Sequence, residues 1–176
     1  MNEFIRKIKK EEKGSMMIEA VVGLTLVTVG LLGIFNLVTN SIRTNRAAGY
    51  RFIASNLAAE GVEITKSIID TNIAQGRPWN QYLSEDNYEF SYDSFMDNDT
   101  NYNDLWLGLS EPEYLKLDGD RYQYNSGDET IFKRKISIDN ESEDIIRVNS
   151  IVSWEENGEV KKINVEDHFY NWRGVK

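Results

Sequence analysis

From Met16 to Val38 the chain has 23 residues, and only Glu19 among them is charged. A helix of that length covers about 34 Å, enough to cross a hydrocarbon core with little tilt. The apolar pattern then narrows. Tyr50, Ala54, Leu57, Gly61, Ile64 and Ile68 recur at alternating steps of four and three, while Arg51, Asn56, Glu60, Glu63 and Lys66 fall elsewhere around the wheel. No proline interrupts from Ser15 to Gln75. The pattern therefore predicts one helix from about Ser15 to Ile69, about 80 Å long. Its first half suits lipid on all sides, and its second half has a single apolar stripe that a globular head must cover.

After Gly76 and Pro78 the period changes. Tyr88, Phe90 and Tyr92 alternate with Glu89, Ser91 and Asp93, which predicts a short strand with an aromatic face. Further along, Phe132, Arg134, Ile136 and Ile138 alternate on one strand, and Ile146, Val148, Ser150, Val152 and Trp154 on the next. Val160 to Val165 supplies a third strand, Asp139 to Glu143 an acidic loop, and Asn157-Gly158 a tight hairpin turn. The fold class expected is α+β: a long N-terminal helix packed on a small antiparallel β-sheet head.

Composition restricts the function. The chain has 176 residues, 40% of them hydrophobic, which is enough for one domain and a membrane segment. Its net charge is −9, and direct nucleic-acid binding is not expected, because phosphate contacts need clustered Lys and Arg. There is no cysteine, so no disulfide or thiolate metal site can hold the head. The aromatic side chains between Trp79 and Trp106 are accordingly assigned to a core in preference to a sugar-binding surface.

Glu19 is the chemically informative residue. A carboxylate at membrane depth costs on the order of 2.5–3.5 kcal/mol on insertion scales, so it marks a function and needs a partner. Ahead of it stands a short segment with Arg6, Lys7, Lys9, Lys10 and Lys13, ending in Gly14. Secretory signal peptides are cut after their apolar region, whereas here the glycine precedes it. The basic cluster places the amino terminus in the cytoplasm and the remainder outside.

The run KGSMMIEAVVGLTLVTVG, with Gly14 followed five residues later by Glu19, resembles the amino-terminal signature of type IV prepilins and pseudopilins. The resemblance implies a leader of residues 1–14, a membrane half of the pilin helix at 15–39, an amphipathic half at 40–72 and a globular head at 73–176. It also implies cleavage between Gly14 and Ser15, methylation of the Ser15 amine and assembly through Glu19. Removal of the leader would leave a charge of −11. The segment NLAAEGVEITKSIIDTN is similar to a minor-pilin subgroup with an LA-x-EG-[IV]-E pattern, as are FKRKISI and the terminal NWRG. Ser15 where major pilins usually have Phe, and the absence of a helix-kinking proline, point the same way. The implied partners are other pilin subunits, a prepilin peptidase and a membrane assembly platform. The implied location is the cytoplasmic membrane, as a single-pass protein, and then an extracellular filament. A permanently anchored adhesin that does not polymerise is the alternative.

No enzyme is expected. His168 is the only histidine, and HExxH, GxSxG and phosphate-cradling glycine loops are missing. Asp97, Asp99, Asn101 and Asp104 place oxygens close together as calcium requires. An EF-hand is excluded, since Tyr102 stands at the sixth position and Gly108 at the twelfth. An irregular calcium loop or a solvated polar loop are the two readings of this segment.

Overall fold

The computed structural model describes residues 2–89, 112–172 and 174. The elements are α1 (Asn2–Ala74), β1 (Asp86–Tyr88), β2 (Tyr114–Asp118), β3 (Arg121–Gln123), β4 (Asp128–Ser142), β5 (Ile145–Glu156) and β6 (Glu159–Tyr170). The expected α+β class is found, with a pilin-like layout of one long helix and an antiparallel sheet. Two compact units divide the chain, Met1–Ala48 and Gly49–Lys176.

In the first unit every residue from Met16 to Arg46 is exposed. Among the described residues this is part of the one helix long and apolar enough to cross a membrane. Three threonine hydroxyls are satisfied within the helix. Thr25 Oγ1 donates to the Val21 carbonyl and Thr28 Oγ1 to that of Leu24, both at 2.7 Å, while Thr39 donates to Phe35. Side chains that bond back to their own helix present little polarity to lipid.

In the second unit the helix from Gly49 onward lays its stripe on the sheet. Ala54, Leu57, Ile64 and Ile68 are buried as the period predicts, and Ala58, Val62, Thr65, Ile69 and Asn72 widen the stripe. The helix runs past the expected Ile69 and stops at a C-terminal cap. Gly76 takes φ 68°, its N–H reaches the Ile73 carbonyl, and the Arg77 N–H reaches that of Asn72 at 2.9 Å. This pair of bonds satisfies carbonyls that the helix end leaves open.

The sheet order is β3-β2-β4-β5-β6, with β1 on the same side of β4 as β2. Along β4 and β5 every second side chain is buried under the helix, as the alternation predicts. The β5–β6 turn is Asn157-Gly158, with φ 55° and 79°, the geometry two-residue hairpins favour. Two expectations need correction. The acidic segment Asp139 to Glu143 is mostly ladder, because β4 continues to Ser142 with an irregularity beyond Asn140. The last strand runs on to Tyr170, held by twelve pairs with β5. The aromatic strand is represented by β1, which ends at Tyr88; Phe90 and Tyr92 lie outside the described residues.

Candidate functional site

Gly14 and Ser15 lie in helical backbone, and Glu19 follows one turn later. Positions four apart share a helix face, so Ser15 and Glu19 are placed in one row. Glu19 is exposed among Met16, Met17, Ile18, Val21 and Val22, themselves all more than half exposed. Among the described residues it makes no hydrogen bond or ion pair.

The pattern LA-x-EG at Leu57, Ala58, Glu60 and Gly61 has a structural basis in the head. Arg134 of β4 is fully buried. Its Nη1 donates to the Leu57 carbonyl at 3.1 Å and lies 3.4 Å from Glu60 Oε1. Glu60, expected on the solvent side of the helix, is half-buried as a result. A Cβ added at Gly61 would overlap Ser150 Oγ and lie 3.1 Å from Ser150 Cβ and 3.2 Å from Ile136 Cδ1. Leu57 and Ala58 fill the space beneath Phe132, Val152 and Trp154. Helix and sheet therefore approach too closely at Gly61 for a side chain to fit without adjustment, with a buried cation one turn away. The available signal was an arginine at an inward position of a strand that otherwise reads Phe132, Ile136, Ile138.

Around Arg134 the polar groups are shifted by burial. Tyr124 donates its hydroxyl to the Arg134 carbonyl at 3.2 Å, and burial pushes its pKa up to about 12 although the nearby guanidinium opposes this. Glu89 is buried and accepts from the Glu113 N–H at 2.5 Å. Burial raises its pKa, and that hydrogen bond works against the rise. Glu89 thereby ties the end of β1 to the start of β2.

The opposite face of the sheet is polar. Arg147 pairs with Asp139 at 3.1 Å and with Glu141 at 3.4 Å, and His168 Nε2 lies 3.4 Å from Glu141. These partners are all about one third exposed, a setting in which ion pairs contribute little. His168 thus sits in a polar ladder across three strands, with no hydroxyl or thiol nucleophile among its contacts with the described residues.

The calcium ligands expected at Asp97, Asp99, Asn101 and Asp104 lie outside the described residues. Among the described residues, no group of three or more His, Asp or Glu is arranged to hold a metal. Comparison of the chain with protein-family models, with known proteins and with solved structures finds no match.

Proposed function

We propose that this chain is a minor type IV pilin or pseudopilin, a non-catalytic subunit cut between Gly14 and Ser15 and built into a filament through its N-terminal helix. The observation that carries the reading is the placement of Glu19: a lone carboxylate without a partner among the described residues, near the start of an exposed apolar helix and five residues after Gly14. Cleavage creates an amine at Ser15, which becomes methylated. In the assembled filament the Ser15 amine of one subunit meets Glu19 of a neighbour, relieving the desolvation cost of both charges and setting the axial register. A peptidase and a membrane assembly platform act before and during this step. The amino terminus lies in the cytoplasm until processing, and the head lies outside. No cofactor is required; calcium on Asp97, Asp99, Asn101 and Asp104 would serve only to order the head.

Replacement of Glu19 tests the mechanism. Glu19→Ala makes the segment easier to insert by about 2.5–3.5 kcal/mol, so poor insertion cannot account for a defect. Cleavage should persist while incorporation into sheared filaments, relative to the membrane pool, falls sharply. Glu19→Gln should be nearly as defective because it keeps shape and loses charge. Entry of both variants at the parental level would remove Glu19 from assembly.

A further inference from the structure

The sheet ends on β6, a strand of twelve residues whose outer edge pairs with no strand among the described residues. A long edge is a template for another strand, and charged side chains are the usual means of blunting it. On β6, after the acidic first residue Glu159, the four inner charges divide by sign about Asn164. Lys161 and Lys162 lie in the first half, Glu166 and Asp167 in the second, and Asn164 lies midway. Pairing with β5 fixes the faces. Lys161, Ile163, Val165 and Asp167 share the helix side with Trp154, Val152, Ser150 and Val148, whereas Lys162, Asn164 and Glu166 share the other.

We propose that β6 pairs antiparallel with β6 of a second copy of this chain, about a two-fold axis through Asn164. In that register Lys161 faces Asp167 and Lys162 faces Glu166. Ile163 faces Val165, and the exposed Val160 faces His168. Every pair occurs twice, and the members of each lie on the same side of the sheet, as direct cross-strand neighbours must. Opposite charges directly across a ladder attract, whereas one sign spread evenly along the strand would repel a second copy. Blunting alone requires charge; it does not require Lys161 and Lys162 to be set across Asn164 from Glu166 and Asp167. Lys162 and Glu166 make no ion pair among the described residues, and Lys161 has only Glu159, two residues away on its own strand.

The axis is normal to the sheet, which has a geometric consequence. Helix residues Leu57 to Ile68 track β4 from Phe132 toward Ile138, so the helix lies along the sheet. A two-fold normal to the sheet reverses the direction of segment 49–74 in the second copy. Segments 49–74 of the two copies therefore run in opposite directions in the pair. This contact is separate from assembly through Glu19 and does not require cleavage at Gly14.

The test uses the full chain in liposomes. Asn164→Cys, in a chain without other cysteines, should give an oxidised dimer formed between differently labelled liposomes, and Asp120→Cys in the β2–β3 turn should not. Liposomes bearing Lys161→Glu/Lys162→Glu, or Glu166→Lys/Asp167→Lys, should each cluster at least about tenfold less than the parent. Mixing the two populations should restore clustering, because acidic residues at positions 161, 162, 166 and 167 of one strand then face basic residues at those positions of the other. Restoration also shows that both variants are folded. Equal cross-linking from both cysteine positions, or no recovery on mixing, would overturn the proposal.

Discussion

Arg134 Nη1, in the middle of β4, donates a 3.1 Å hydrogen bond to the carbonyl oxygen of Leu57, 77 residues earlier in the chain. A carbonyl has two lone pairs, so one within a helix can accept a second donor without giving up its helical bond. The bond fixes where along the helix the sheet packs, and Glu60 3.4 Å away supplies the counter-charge.

Volume and charge at Arg134 can be separated. Arg134→Ala should lose about 3–5 kcal/mol, since it opens a cavity in addition to removing the bonds. Arg134→Met should lose much less, because an apolar side chain of similar size often replaces a buried ion at little cost. Urea unfolding of the purified chain in detergent checks both. Equal losses would assign the effect to the guanidinium's bonds and not to its volume.

Gly61→Ala should destabilise the head by about 1–3 kcal/mol through overpacking, because the new methyl meets Ser150 and Ile136. Ser150→Ala alone should be close to neutral or slightly stabilising, since the Ser150 hydroxyl is buried with no hydrogen-bond partner among the described residues. Gly61→Ala/Ser150→Ala should recover part of the loss. Thermal melts of the three variants read this coupling, and strict additivity would contradict the close approach.

Glu89 gives a pH dependence of defined sign. Its carboxyl is raised above the ordinary value of 4.5 by burial, so the folded state holds the proton more tightly than the unfolded state. Its contribution is fully present below about pH 4.5 and lost as pH rises through the folded value. Glu89→Gln keeps an acceptor for the Glu113 N–H and carries no charge. The variant should therefore melt higher than the parent at pH 7, with the difference vanishing below pH 4.5. Parallel curves across that range would contradict the burial argument.

Tyr124 acts at the other end of the scale. Its pKa moves from 10.0 to about 12 on folding, so stability should fall as pH rises from 10 toward 12. Tyr124→Phe should cost about 1 kcal/mol at neutral pH through the lost hydrogen bond to the Arg134 carbonyl. The same variant should flatten the alkaline limb of the melting profile.

How much was legible in the sequence follows from the kind of signal. The helix and the two central strands carry strong periods of 3.6 and 2, and the residues they place inward, Ala54 to Ile68 and Phe132 to Trp154, are buried. The β2–β3 hairpin was missed because its strands are five and three residues long with little alternation, although Asp118-Gly119 marked the turn and Gly119 takes φ 64°. The charge of Asp139 to Glu143 suggests a loop, whereas β4 runs to Ser142. On an outward face charges are compatible with a strand, and Arg147 across the ladder compensates them. Glu60 was assigned to solvent because its partner Arg134 is distant in sequence, and helical period carries no information about such pairs. For Gly14, Ser15 and Glu19 the only signal is spacing, and their roles rest on the proposed function.

The most direct test of the proposed function is the intact mass of native chain extracted from membranes of its own cells. A chain beginning at Ser15 and carrying one added methyl group is the predicted result. A native chain still beginning at Met1, in cells where a prepilin peptidase is active, would contradict the pilin reading and leave a permanently anchored surface protein in its place.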